Sequence, residues 1–359
     1  MLRVIDLLLR DSRRALNISA MKRRFSQLYE KEEFPFHFSR SHLRDHTDNE
    51  LAMLATSVLA VHGLVRPLRR APAPPLTIDR DKTWSNPLGT SLTEVADGVW
   101  LAERPFYPTL PGLQGTDVGC KACVVKLPDG KLWVHAPVGL DEPLRKAIKE
   151  LGPVGHIVTP NTEHQKFAPM WIIEYPDACS WACPGLREKK PEVGWQRSLQ
   201  ELLDTAVGVD DFSVEVGPGG GLTASSPPDE WGGAIELCWV RDKIPLTGML
   251  QGGIPFFNEV VFCHKPTGTL IVTDLWWNYP ATREDVEGKG VDVPLSSRLW
   301  KGGMDLIYRP VYNRMMRTPS CAASYATILN KWEWDYIAPC HGEPVAQDAK
   351  RVLREHLRL

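Results

Sequence analysis

The sequence predicts an α/β fold, because three short apolar runs each end in polar side chains where a strand would give way to a loop. Such strand ends are the usual place for chemistry in α/β proteins. The polar residues that follow the three runs are Asn161, Glu163 and His164 after residues 154–160, Asp274 after residues 269–273, and His341-Gly342 after residues 336–340. Asp and His at strand ends are also ordinary turn residues, but three such ends in this order favour one shared site.

Two hairpins and a helix complete this prediction of strands alternating with helices. Residues 123–135 alternate around a Pro-Asp-Gly turn, and residues 259–274 do so around a Lys-Pro-Thr-Gly turn. Residues 140–151 have their apolar side chains at helical spacing and stop before Gly152-Pro153. A hairpin, a helix and a motif-bearing strand therefore form the first half, and a second hairpin begins the other half.

The N-terminal quarter differs in composition from the rest. Residues 1–47 begin with a basic and apolar stretch, which suits either an amphipathic organelle-targeting helix or a solvated helix of the mature protein. Residues 48–70 contain the uncharged stretch 51–65, which is shorter than the about 20 residues of a transmembrane helix and predicts a buried helix instead. Residues 71–92 are rich in proline and predict an extended linker. The globular domain is then expected to span residues 93–359.

The composition excludes several classes of protein. The 359 residues carry a formal net charge of −2, which gives no sign of nucleic-acid binding. Eight cysteines are too few for a disulfide scaffold at this length. Cys120-x2-Cys123 and Cys179-x3-Cys183 have spacings compatible with a four-thiolate zinc site, although they lie in stretches typical of buried cysteines. We expect an intracellular protein without a transmembrane span, of the chloroplast or mitochondrion if the basic N-terminus is a targeting segment.

The order and spacing of the strand-end motifs resemble the metallo-β-lactamase superfamily. In that family a histidine-rich motif follows a strand, an aspartate that bridges two metal ions ends a later strand, and a last histidine precedes a glycine. The corresponding positions here are residues 159–164, Asp274 and His341. Pro-Asn-x-Glu-His in the motif, residues 257–262 and Thr-Asp-Leu at 273–275 are similar to a branch described only as a domain of unknown function.

The resemblance covers about residues 93–350 and implies an αββα sandwich with an N-terminal helical extension. It also implies a departure at the first of the family's two metal positions. Thr159 and Asn161 stand where the first two histidines are expected, and Asn258-Glu259 lies near the position of the mid-chain histidine. Threonine and asparagine are poor zinc ligands compared with imidazole or carboxylate.

The set for the second metal is better preserved, and the resemblance assigns it to Glu163, His164, Asp274 and His341. Two imidazoles and two carboxylates suit one divalent ion, Zn²⁺ or Fe²⁺. The implied function is a metal-dependent hydrolase of a small molecule at a mononuclear site, with Asp274 among the catalytic residues and the metal-free Glu259 as proton acceptor. The alternative is a catalytically inactive domain that binds a ligand or a protein in the same cleft. The substrate and the oligomeric state stay undetermined at this level.

Overall fold

A computed structural model describes residues 83–108, 115–205, 224–225, 228–242, 255, 257–279, 282–284 and 288–359. The basic segment 1–47, the apolar segment 48–70 and the first part of the proline-rich segment lie outside these ranges, so the predictions made for them stay predictions. Within the described ranges, no helix has both the length and the apolar character that crossing a membrane requires.

The first sheet has seven strands, which lie side by side in the order in which they occur along the chain. They are β1 (Thr93–Ala96), β2 (Val99–Arg104), β3 (Cys120–Lys126), β4 (Leu132–His135), β5 (Val154–Thr159), β6 (Cys179–Ala182) and β7 (Arg197–Ser198). The strands from β1 to β4 are antiparallel, and those from β4 to β7 are parallel. The predicted hairpin of residues 123–135 forms the pair β3–β4.

The second sheet has five strands in the order β14-β11-β10-β9-β8. They are β8 (Ala224–Ser225), β9 (Ile235–Arg241), β10 (Asn258–His264), β11 (Thr269–Val272) and β14 (Tyr336–Pro339). Only β14 runs parallel to its neighbour β11, and the other pairs are antiparallel. A separate small hairpin joins β12 (Thr282–Glu284) to β13 (Gly290–Asp292).

Helices connect and cover these sheets. They are α1 (Glu142–Leu151), α2 (Ala168–Glu174), α3 (Leu186–Lys189), α4 (Leu199–Thr205), α5 (Leu295–Gly303), α6 (Arg309–Met315), α7 (Pro319–Ala326) and α8 (Ala349–Leu357). The segment Met304–Tyr308 is π-helical and joins α5 to α6, and Thr327–Lys331 extends α7 in the same way.

The two sheets pack face to face, with one helical layer outside each of them. The middle layer is apolar and draws on both sheets, since Trp133 of β4 meets Phe262 of β10 with ring centroids 5.0 Å apart. Leu144 of α1 and Trp171 of α2 pack on the outer face of the first sheet. Helices α6, α7 and α8 pack on the outer face of the second sheet. The structure thus confirms the predicted αββα sandwich.

Helix α1 shows how the sequence specifies one of these outer layers. Asp141 caps the helix, because its Oδ1 accepts a hydrogen bond from the amide of Leu144 at 2.8 Å. Leu144 and Ile148, four positions apart, are the buried side chains of the helix and face the sheet. The helix ends at Gly152, before the predicted strand β5. Capping and periodicity therefore set both ends and the buried face of α1.

The topology brings three strand ends to one edge of the sandwich. Because β11 and β14 are parallel and Val272 pairs with Pro339, the residues two positions beyond this pair, Asp274 and His341, lie side by side. The end of β5 meets the start of β10 in the other sheet, where the amide of Val260 donates to the carbonyl of Pro160 at 2.9 Å. The motif after β5 is thereby placed at the same edge.

The packed structure begins before residue 93, the boundary predicted from the proline-rich composition. The indole of Trp84 is nearly buried, and its Nε1 donates to the carbonyl of Asp117 at 3.2 Å. Ser85 donates to the carboxylate of the same aspartate at 2.5 Å. The part of the predicted linker that carries Trp84 and Ser85 therefore packs on the domain.

Candidate metal centre

Three side chains from the three strand ends meet in one group. Nε2 of His164 lies 3.1 Å from Nε2 of His341, and these two nitrogens lie 3.4 and 3.6 Å from Oδ1 of Asp274. A tetrahedral ion with bonds of 2.0–2.1 Å has ligand atoms about 3.3 Å apart. The three distances are close to that value, so the atoms occupy three corners of a tetrahedron that fits a divalent ion.

The group is open on one side. The side chains of His164 and His341 are almost completely buried, whereas that of Asp274 is 29% exposed. The ring of Phe106 stacks on His164 at 5.9 Å, and the ring of Tyr279 lies 5.7 Å from His341. Water and a small ligand would therefore reach the three ligand atoms past Asp274, between aromatic walls.

The orientation of His341 leaves its Nε2 free for the group. Nδ1 of His341 lies 2.7 Å from the carbonyl oxygen of Gly119, and a carbonyl can only accept, so Nδ1 carries the proton. Burial, followed by the charge of neighbouring His164, lowers the pKa of His341 to about 4. His341 is therefore neutral near pH 7, with the lone pair of Nε2 directed at His164 and Asp274, as a metal ligand requires.

One carboxylate oxygen of Asp274 accepts a hydrogen bond, and the other faces the two imidazoles. Asn161 donates from Nδ2 to Oδ2 of Asp274 at 2.6 Å, which leaves Oδ1 facing the two imidazoles. Burial opposes ionisation of Asp274, but the interactions with His164, His341 and Asn161 outweigh it and lower the pKa to about 2. Asp274 is thus a carboxylate at any physiological pH.

His164 faces Asp274 with one nitrogen and two cysteines with the other. Its Nδ1 lies 3.2 Å from Sγ of Cys340 and 3.8 Å from Sγ of Cys120. Burial alone would lower the pKa of His164, yet Cys340 and Asp274 together raise it well above the usual range. Burial also raises the pKa of the Cys340 thiol, so this thiol is neutral near pH 7. The negative charge that stabilises protonated His164 near neutral pH is therefore that of Asp274.

Glu259, the predicted proton acceptor, is buried beneath this group. Its two carboxylate oxygens accept hydrogen bonds from the amides of Thr273, Asp274 and Leu275, at 2.7, 2.8 and 2.8 Å. Burial, together with the charge of Asp274, raises the pKa of Glu259 to about 7. With both oxygens occupied by backbone amides, this placement favours a role in positioning the loop that carries Asp274.

Glu163, the fourth predicted ligand, does not join the group. The ligand atoms that lie within 4.8 Å of one another are those of His164, Asp274 and His341, whereas the side chain of Glu163 is exposed. The cause is local, because Oδ1 of Asn161 accepts from the amides of both Glu163 and His164 and closes a tight turn. The turn directs His164 inward and leaves Glu163 at the surface.

The residues that the resemblance places at a first metal position form a hydrogen-bonded network. Oγ1 of Thr159 accepts from Nε1 of Trp195 at 3.2 Å, and the amide of Asn161 donates to Thr273 at 3.0 Å as well as to Asp274. Asn258 donates to the carbonyl of Pro184 at 2.9 Å and accepts from the indole of Trp239 at 2.7 Å. The polar atoms that replace the histidines are therefore bonded within the protein.

The proposed four-thiolate zinc site does not form. Cys120 and Cys123 lie three positions apart on β3, so their side chains point to opposite faces of the sheet. Cys120 packs with the outer layer and Cys123 with the layer between the sheets, while Cys183 belongs to a third cluster. The structure instead places Cys120 beside Cys340, with the two sulfurs 3.2 Å apart.

Three further residues of the site escaped sequence reasoning. Gly119 orients His341 through its carbonyl, and Asp117 fixes the local backbone, because its Oδ1 accepts from the amides of Phe106 and Gly119 at 2.9 Å each. The contact of Gly119 with His341 spans 222 positions, so no local sequence pattern marks it. Cys340 had a usable signal, since it directly precedes His341 in the chain.

Comparison with known proteins gives a family and a set of similar folds. A family model described as "Domain of unknown function (DUF4336)" matches residues 99–296. No curated protein matches the sequence.

The solved structures that resemble this chain include metallo-β-lactamases. FIM-1 from Pseudomonas aeruginosa, in its mono-zinc form, is 11% identical with a TM-score of 0.44, over 77% of this chain and 97% of its own. The enzyme from Hirschia baltica is 10% identical with a TM-score of 0.41, over 74% and 96%. That from Erythrobacter litoralis, with β-mercaptoethanol in its active site, is 13% identical with a TM-score of 0.42, over 74% and 95%.

Proposed function

The chain belongs to the family described as a domain of unknown function, DUF4336, and we propose that it is a metal-dependent hydrolase with a mononuclear site. One divalent ion, Zn²⁺ or Fe²⁺, is held by His164, Asp274 and His341. The observation that carries this proposal is the triangle of ligand atoms, whose edges of 3.1, 3.4 and 3.6 Å fit one small ion. Three protein ligands leave a coordination position open, as catalytic rather than structural metal sites do.

The chemistry that such an ion supplies is a lowered pKa of a coordinated water and a polarised substrate oxygen. The chain provides the rest. Asn161 and Glu259 hold Asp274 with its Oδ1 turned to the imidazoles, and Gly119 fixes the tautomer of His341. Phe106 and Tyr279 flank the imidazoles, which restricts access to small molecules that approach from the side of Asp274.

Two glutamates near the metal ligands are candidates for the proton acceptor. Glu259 was predicted from the sequence for that role, and its three amide donors support positioning instead. The exposed carboxylate of Glu163, next to His164 in the chain, is the alternative acceptor. Single replacements of the two glutamates distinguish these roles.

A binding domain without catalysis is the second candidate function. It is favoured by one observation, the hydrogen-bonded network of Thr159, Asn161 and Asn258, which the resemblance places at the first-metal position. In this case the chain would retain one metal ion, or none, and use the cleft to hold a small molecule or a protein partner.

Metal analysis tests the proposal directly. We expect zinc or iron to copurify with the wild type or to rebind after chelation, and His341→Ala or Asp274→Ala to remove most of it. His264→Ala is the matched control, because His264 lies at the opposite end of β10 from the site. Hydrolysis of phosphodiester, thioester or lactone probes should depend on the same two residues. A wild type that binds no divalent ion at saturating concentration would reject the hydrolase, whereas metal without hydrolysis would favour the binding domain.

A further inference from the structure

Two cysteines lie behind His164, on the side of its ring away from Asp274 and His341. Sγ of Cys340 is 3.2 Å from Sγ of Cys120, and the two sulfurs lie 3.2 and 3.8 Å from Nδ1 of His164. Both cysteines are free thiols and are buried. The proposed hydrolytic site uses neither of them.

The spacing of the sulfurs decides between two kinds of chemistry. A disulfide requires about 2.05 Å between the sulfurs, which is more than 1 Å shorter than the observed gap. A tetrahedral ion with bonds of about 2.3 Å to sulfur requires about 3.8 Å between them, which is about half an ångström longer. A small rotation of either side chain reaches the second value, so the pair is closer to a metal-binding arrangement than to a cross-link.

We infer that Cys120, Cys340 and Nδ1 of His164 form a second metal site, for a thiophilic ion such as Zn²⁺ or Cu⁺. Thiolates and imidazole are the ligands that these ions prefer. Zn²⁺ balances the two negative charges that the thiols acquire on losing their protons, whereas Cu⁺ balances one of them, so Zn²⁺ suits this buried position better. Each bond to sulfur therefore replaces an S–H proton, which leaves with solvent.

The backbone around the two cysteines is fixed from both sheets. The amide of Cys340 donates to the carbonyl of Val272 in the second sheet, and its carbonyl accepts from the amide of Lys121 in the first, both at 2.8 Å. Cys120 is the first residue of β3 and precedes Lys121 in the chain. The two sulfurs are thus held together by the junction of the sheets rather than by a flexible loop.

His164 offers a different ring nitrogen to each of the two sites. Its Nε2 faces Asp274 and His341, and its Nδ1 faces the sulfurs, so an ion at one site takes no ligand atom from the other. To bridge two ions in this way the imidazole loses its remaining N–H proton to solvent and becomes an imidazolate, which couples the binding of the two ions. The inference goes beyond the proposed hydrolase and does not depend on it, because the thiolate site stands on Cys120 and Cys340.

X-ray absorption at the zinc edge tests the inference on reduced, zinc-saturated protein. In the wild type we expect a sulfur shell at about 2.3 Å in addition to nitrogen and oxygen at about 2.0 Å. The double variant C120S/C340S should lose the sulfur shell and about half of the bound zinc. Asp274→Asn should instead lose ligands at the other site and keep the zinc–sulfur distance.

Cys123→Ser is the matched control, since Cys123 is buried on the same strand but faces the other side. It should leave the sulfur shell unchanged. A saturated wild type without sulfur neighbours overturns the inference, and this measurement needs no variant that has to fold. A sulfur shell that persists in C120S/C340S overturns it as well. If Asp274→Asn loses zinc and keeps the sulfur shell, the thiolate site binds zinc independently of the site at Asp274.

Discussion

Two neighbours position Asp274, one through its side chain and the other through its backbone. Asn161 bonds to one of its carboxylate oxygens, while Glu259 bonds to the backbone amides on either side of it and to its own amide. Oδ1 of Asn161 also accepts from the backbone amide of His164 and closes the turn that carries it. One asparagine and one glutamate therefore set the relative position of two of the three candidate ligands.

Replacement of Glu259 by glutamine should weaken metal binding, because an amide nitrogen cannot accept the hydrogen bonds that one carboxylate oxygen now receives. We expect a loss of about 1–3 kcal/mol in the free energy of unfolding and about 10–100-fold in metal affinity. Isothermal titration with zinc and chemical denaturation measure the two effects. Glu163→Gln is the control, since its exposed side chain predicts unchanged stability and metal affinity. If Glu259→Gln abolished hydrolysis with metal affinity intact, Glu259 would be the proton acceptor after all.

His135 gives the metal-free protein a sensitivity to acid. It is buried against Trp133 and Phe262, and burial, followed by the charge of His164, lowers its pKa to about 3. The unfolded chain binds a proton near pH 6.5 and the folded protein does not, so stability falls as the pH falls below 6.5 toward 3. At pH 5 this histidine should reduce the free energy of unfolding by about 2 kcal/mol relative to pH 8.

His135→Phe should remove that contribution and leave a shallower decline of stability between pH 7 and pH 5. Denaturation of chelated protein at several pH values measures the slope. The absolute stability of the variant is not the test, since the larger ring perturbs packing. An unchanged slope would mean that His135 has the same pKa in the folded and the unfolded protein.

At the scale of elements, a short loop after β11 holds the segment that carries His341. The amide of Glu343 donates to the carbonyl of Asn278 at 3.0 Å, and the amide of Asn278 donates to the carbonyl of His341 at 3.3 Å. Gly342 lies between them with φ of 84°, in the left-handed region. The close approach of these two backbone segments fixes the position of His341 relative to the end of the second sheet.

Alanine at position 342 should be far more damaging than alanine at another glycine with the same φ. A Cβ at Gly342 would lie 1.9 Å from the carbonyl oxygen of Asn278, whereas a Cβ at Gly130, also at φ of 84°, meets nothing within 4 Å. Gly130→Ala should cost about 1–2 kcal/mol from the backbone conformation alone. Gly342→Ala adds about 1–3 kcal/mol of overlap and should lower metal affinity. Equal losses in thermal denaturation would show that the loop yields without strain.

At the scale of the molecule, the site lies where the two halves of the sandwich meet. The first sheet supplies His164, and the second supplies Asp274 and His341. Segments before β1 also reach this region, because Trp84 and Ser85 bond to Asp117, which holds Phe106 over the imidazoles. The stability of the site thus depends on Trp84 and Ser85, which lie in the segment that composition alone predicts to be a linker.

Two truncated proteins should behave differently for this reason. The residues that the structure describes begin at Thr83, six positions after Thr77. A protein that starts at Thr77 should unfold cooperatively, whereas one that starts at residue 90 loses the buried indole of Trp84 and should be less stable by about 3–5 kcal/mol. Urea denaturation compares them. Equal stability would restore residue 93 as the start of the folded domain.

Local signals in the sequence determined much of this protein. The apolar runs, the turns between strands and the helical spacing of residues 140–151 predicted an α/β fold and the strand ends that carry His164, Asp274 and His341. These features depend on neighbours within a few positions, since side-chain alternation, helical spacing and turn geometry are local. The αββα sandwich followed from the resemblance that the order of motifs carries. The same resemblance predicts a reduced site, because Thr159 and Asn161 stand where its first two histidines are expected.

Only the tertiary structure decided which of the candidate groups act together. Glu163 and His164 are adjacent in sequence, yet the turn closed by Asn161 sends them to opposite sides. Cys120 and Cys340 are 220 positions apart, yet the junction of β3 with the segment after β14 brings their sulfurs into contact. Glu259 has the same carboxylate as a catalytic base, and its amide partners come from the loop that follows the neighbouring strand β11. The pairing of distant strands sets these distances. That pairing is stabilised by the packing of the whole sandwich, and no single motif in the sequence contains it.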